Sequence, residues 1–201
     1  MRVNEALGQI AQIHDHLARA EVYRGFNPLG VALSGVVGLA AAAVQPLAVA
    51  PDDPVAFVWF WLAVAVVAGA VGVSPALDGY LRREDEFARR KTRRVLGQFV
   101  PCVAAGLAVT FALSRTGAGF VPYLPGLWAV LFALGVFAAR PYLPHATGWV
   151  GLFYLAAGAL LLAVGPADLG PAGRAFGGVF AAGQLATAGV LSRNRERDDN
   201  G

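Results

Sequence analysis

Few residues in this chain are of a type and spacing that could do chemistry. His14 and His16 stand one residue apart near the start, and Glu21 and Arg24 follow. A His-x-His pair can share a metal when it lies on a strand. On a helix the two rings point about 200° apart and cannot. The surrounding spacing is helical. Val3, Leu7, Ile10 and Leu17 form one apolar stripe with Ile13 at its margin, and Arg2, Glu5, Gln9, Gln12, Asp15 and Arg19 take the other side. His14 falls on the apolar stripe, with Glu21 seven residues later and Arg24 beside it. With Asp78 these make a candidate polar cluster, His14, Glu21, Arg24 and Asp78, at the cytoplasmic interface. Docking of the helix is the favoured role; a ligand or pH-sensing site is the sharper one.

A second set of candidates lies inside long apolar runs. Gln184, Tyr154 and Gln98 are polar residues that could line an intramembrane path, and Gln184 is expected to be the most buried. Ser34, Gln45, Thr110 and Thr187 complete the polar set. Hydrogen bonding between helices is the simplest use for all of them. No Asp, Glu, Lys, Arg or His falls in the middle of an apolar run. Pumps and ion-coupled transporters usually need such groups at depth, so this absence argues against them.

The third feature is a basic block. Residues 81–94 hold seven of the sixteen Lys and Arg side chains: Arg82, Arg83, Arg89, Arg90, Lys91, Arg93 and Arg94. Seven cations beside an inner leaflet would meet lipid headgroups at about 1 kcal/mol each. They also fix orientation, which is the plainer reading. The acids at 84–86 weaken lipid specificity. Without aromatic interleaving, the block does not read as a nucleic-acid site.

Known catalytic patterns are absent. There is no P-loop glycine pattern, no His-Glu-x-x-His, no Gly-x-Ser-x-Gly and no cysteine pair. Asp78-Gly79 and Ala88-Arg89 carry residue types of the CDP-alcohol phosphotransferase signature, but the spacing is too long and the later metal-binding aspartates are missing. We expect no metal and no cofactor, and leave an enzymatic role open as the least favoured reading.

The elements that must position these residues follow from composition. Of 201 residues 57% are hydrophobic and 14% charged, against about 25% charged in a soluble domain. Apolar runs near the length of a bilayer crossing recur along the chain. The single cysteine, Cys102, cannot form an internal disulfide. The expected fold class is an all-α integral membrane protein, a bundle of six transmembrane helices with an N-terminal amphipathic helix over 1–26. The transmembrane domain is read over 28–191. Its spans are read at 28–49, 55–73, 95–114, 124–139, 147–164 and 175–191, with a tail over 192–201. Ser74-Pro75 reads as an N-cap and first helical proline, so a separate charged helix is expected over 75–94.

With both termini inside, fourteen basic residues fall on the cytoplasmic side and two, Arg115 and Arg174, outside. That bias follows the positive-inside rule. The four Trp residues fall at span ends and read as an interfacial belt. Pro122-Tyr-Leu-Pro125 is repeated as Pro141-Tyr-Leu-Pro144, one crossing later and so on the opposite face. Gly30, Ser34 and Gly38 recur every four residues, a spacing that lets helices approach closely and a candidate surface for self-association through span 1.

The Ala/Gly/Arg-rich, Lys-poor composition fits a bacterial plasma membrane. Expected partners are the lipid bilayer, a second copy through span 1, and a cytoplasmic protein; nucleic acid is not among them. Two function classes remain. One is a non-enzymatic regulatory or structural protein acting through its cytoplasmic face. The other is a small permease or channel for a neutral or apolar solute, with an enzyme at the cytoplasmic interface as a third.

Overall fold

The computed structural model describes residues 27–82, 86–165 and 168–199. Among them there is no strand. Six α-helices follow one another: α1 (Pro28–Ala48), α2 (Pro54–Arg82), α3 (Glu86–Thr116), α4 (Leu124–Ala139), α5 (Thr147–Val164) and α6 (Leu169–Asp199). Two 3-10 turns, Ala118–Tyr123 and Arg140–Tyr142, flank α4. All six are long and apolar enough to cross a membrane, α4 when taken together with its two turns. The amphipathic helix expected over 1–26 lies outside the described residues.

Two helices start in the same way. Asn27 precedes Pro28, and its side chain accepts from the Leu29 amide at 3.0 Å. Asp53 precedes Pro54 and accepts from the Ala56 amide at 2.9 Å. Each caps an otherwise unmet donor while proline takes a position whose N–H is not needed. At the other end of α5, Gly165 at φ 62° ends the helix in the left-handed region.

Ser74-Pro75 does not start a helix. α2 runs through it to Arg82. A proline inside a helix leaves the carbonyl four residues earlier without its backbone donor. Here that carbonyl belongs to Val71, and the Ser74 hydroxyl donates to it at 2.9 Å. The serine thus repairs the helix where a cap was expected. The charged stretch 75–94 is shared between the end of α2 and the start of α3.

Neighbouring helices alternate in direction. α1 packs most extensively on α6 and then on α2; α4 packs on α5 and α3, and also on α6. α2 and α3 touch little. Small residues set the closest seams. A Cβ on Gly158 of α5 would lie 2.8 Å from the Gly126 carbonyl of α4. On the α1–α6 seam, a Cβ on Gly177 would lie 2.8 Å from the Gly38 carbonyl. Backbones this close gain dispersion contacts that larger side chains would prevent.

The small-residue face of α1 therefore serves the chain itself. Gly30 lies against Pro75 and Val71 of α2, Ser34 against Gly72 of α2, and Gly38 against Phe180 of α6. All three are buried. The face expected to serve self-association is packed within the chain against α2 and α6.

The alternation gathers charge at one end of the bundle. Ten basic residues among those described, from Arg82 to Arg94 and at Arg140, Arg193, Arg195 and Arg197, lie toward the end where Gly30 meets Pro75. Arg115 and Arg174 lie toward the other end, with Asp52, Asp53 and Asp168. We call these the Arg94 end and the Asp53 end.

Candidate functional site

The bundle interior is organised by buried polar groups and rings. Near the Asp53 end, the Trp61 indole N–H of α2 donates to Gln45 Oε1 of α1 at 3.2 Å. Gln45 Nε2 in turn donates to the Leu169 carbonyl at the start of α6, at 3.1 Å. Gln45 and Trp61 are 2% and 3% exposed, so the link joins three helices away from solvent. Gly173 makes it fit, since a Cβ there would collide with Gln45 Oε1.

A second polar link lies nearby. Trp128 Nε1 of α4 donates to Thr110 Oγ1 of α3 at 2.9 Å, while Thr110 donates to the Gly106 carbonyl at 2.7 Å. From this level rings continue inward. Phe176 meets Trp61 and Trp128 edge-on, with centroids 5.3 and 5.5 Å away. Phe180, one turn further along α6, meets Phe132, which meets Tyr154 at 4.8 Å. This column crosses from the Asp53 end to mid-bundle through α2, α4, α5 and α6.

Tyr154 is completely buried. Its hydroxyl donates to the Phe180 carbonyl at 3.0 Å, and its ring lies where a Cβ on Gly183 would be. It is a packing element with a satisfied hydroxyl. Gln98, on α3, is half-buried. It lies on the turn beside Phe99, which packs against Phe132 and over Gly135 of α4. Gln184, on α6, has its Cβ where a Cβ on Gly35 of α1 would come within 2.9 Å. The three candidate lining residues thus lie on three different helices, and no hydrogen bond joins any two of them.

Gln184 differs from the other buried polar groups. It is 8% exposed. Ser34, Thr110, Thr147 and Gln45 all have hydrogen bonds. Among the described residues none involves the Gln184 carboxamide. An amide left unpaired in apolar surroundings costs about 1–3 kcal/mol. Each net bond at Gln45 stabilises by about 1 kcal/mol.

Of the candidate polar cluster, Asp78 is exposed near the end of α2, and His14, Glu21 and Arg24 lie outside the described residues. Arg93 and Arg94 of the basic block are exposed on the first turns of α3. Arg82, Arg89, Arg90 and Lys91 lie on the helices at that end; Arg83 is outside the described residues. Among the described residues no three His, Cys, Asp or Glu side chains gather as a metal site.

The Gln45–Trp61–Leu169 link was not anticipated. Trp61 was expected at a wet interface, yet it is a core residue with its N–H spent on Gln45. Trp59 and Trp149, at 69% and 75% exposed, keep their rings on the outer surface. The signal available was depth: Gln45 and Trp61 flank one short turn, and both need partners inside.

No protein-family model, curated protein or solved structure matches this chain. The geometry above therefore carries the functional reading by itself.

Proposed function

We propose that this chain is a multi-pass protein of a bacterial plasma membrane, with both termini and residues 81–94 in the cytoplasm. We read it as non-enzymatic, a regulatory or structural component that acts through its Arg94 end. The observation that carries this is the division of labour along the bundle axis. The interior from the Asp53 end to mid-depth is filled by the ring column and its two indole hydrogen bonds. Basic charge is concentrated at the Arg94 end, ten basic residues to two among those described. A filled interior favours a scaffold over a conduit, and the charge supports a working surface that meets a cytoplasmic protein or anionic headgroups.

One observation favours the second reading, a small permease for a neutral solute: the unpaired carboxamide of Gln184. Two measurements decide. Cysteines introduced at Asp53 and Asp168 in a Cys102→Ala background should react with an impermeant maleimide from outside intact cells. One at Arg94 should react only after permeabilisation. The opposite labelling would overturn the orientation. Proteoliposomes holding the protein should pass glycerol and urea no faster than empty vesicles. A flux abolished by Gln184→Leu would replace the scaffold reading with the permease.

A further inference from the structure

The α1–α6 seam sets a glutamine of one helix over a glycine of the other at two levels, by the carboxamide of Gln45 and by the stem of Gln184. At one level Gln45 of α1 lies over Gly173 of α6; at another Gln184 of α6 lies over Gly35 of α1. Each antiparallel helix thus offers one glutamine to a glycine of the other. The first pair is complete within the chain, through Trp61 and the Leu169 carbonyl. The second pair has the same residue types and more than nine-tenths burial, and has no such partners among the described residues.

The surroundings of Gln184 say what kind of partner would suit it. Ser34 lies next to Gly35 in α1 and is 3% exposed. Its hydroxyl donates to the Val31 carbonyl at 2.7 Å, which leaves its oxygen free to accept. Gly72 of α2 faces Ser34 without a side chain, its Cβ position 3.5 Å away. Val31, Ala188 and Leu191 close the seam toward the Arg94 end with apolar groups. No ionisable residue lies among these neighbours, so a charged ligand would be unpaired there. A carboxamide offers both donors and an acceptor, and a hydroxyl answers both.

We propose that Gln184 is a binding site for a neutral hydroxyl group from outside the chain, held beside Ser34 and Gly35 between α1, α2 and α6. The hydroxyl comes either from a buried water molecule or from a membrane-dissolved alcohol. This goes beyond the proposed function: a scaffold can hold such a site, and failure of either idea leaves the other standing.

The test uses the full chain in lipid nanodiscs with 15N-labelled glutamine. The Gln184 side-chain amide is assigned by its loss in Gln184→Met, or in Gln184→Asn if the first variant does not fold. Water is read by transfer of magnetisation to that amide, and alcohol by titration with 1-octanol against octane. The expected result is one of two. A persistent water contact at Gln184 and none at Gln45 identifies water. A saturable shift at Gln184 with 1-octanol, absent with octane and absent at Gln45, identifies an alcohol. No water contact and no alcohol-specific shift at Gln184 would overturn the proposal. So would equal responses at Gln45 and Gln184.

Discussion

The two glutamine levels of the α1–α6 seam resemble each other in sequence and differ in what they do. At the Gly173 level, Gln45 lays its carboxamide against the partner helix and binds two groups from two other helices. At the Gly35 level, the contact is with the stem of Gln184, and no described group answers its amide. One level clamps the bundle. The other stores an unmet polar demand. A buried amide in an apolar setting therefore cannot be scored by residue type; its partners decide its sign.

The largest effect should come from separating the two levels. Gly177 lies between them, and Gly177→Leu would drive a side chain into Ala42 and the Gly38 carbonyl. Overpacking against backbone cannot be relieved by a rotamer change. We expect a loss of about 3 kcal/mol or more, seen as failure to recover folded protein in detergent. Recovery at wild-type yield would mean that the seam is looser than described.

Next, Gln45→Leu should cost about 2 kcal/mol, because it removes two bonds and leaves the Trp61 N–H buried without an acceptor. Thermal unfolding followed by tryptophan fluorescence reads both the loss and the changed indole environment. An unchanged melting curve would remove the clamp. Gln184→Met should change stability by less than about 1 kcal/mol, because it removes an amide and any outside partner together. A loss as large as that of Gln45→Leu would show that Gln184 is a clamp of the same kind and would erase the contrast.

The smallest effect serves as the baseline. Leu107 on α3 is 52% exposed, on the helix with the least buried surface. Leu107→Ala should alter stability by no more than about 0.5 kcal/mol. A larger loss would show that this face is covered by something other than lipid.

Much of the helical framework was legible because the signals are local. Long apolar runs are read from composition, and so is the absence of charge within them. The Asn27-Pro28 and Asp53-Pro54 starts are also local. Ser74-Pro75 was misleading for a related reason. The same pair that caps a helix start can also mend a helix interior, because the hydroxyl can serve the carbonyl that proline abandons. Trp61 was misplaced because tryptophan at a span end suits both a headgroup and a buried acceptor, and the choice lies with Gln45. The small residues of α1 show by their spacing that a helix can approach them, and only the fold shows that α2 and α6 do.

The repeated Pro-Tyr-Leu-Pro makes the boundary plain. In both copies a 3-10 turn ends on the tyrosine. After that they part. Leu124 is helical, with φ −53° and ψ −44°, and α4 begins there. Leu143 is extended, with φ −114° and ψ 161°. Pro144 then accepts from the Thr147 amide and hydroxyl, and α5 waits until Thr147. Four identical residues have two conformations.

By itself, the sequence determined that six apolar helices form and that basic charge gathers at alternate turns. Both depend on side-chain chemistry read over a window no longer than one helix. The tertiary structure alone decided which buried amide is answered and which is not. Gln45 finds its acceptor 124 residues away, and Gln184 sets its stem over Gly35 with no hydrogen bond to its amide among the described residues. Such pairings depend on which helices become neighbours and at what depth, and no local spacing carries that information.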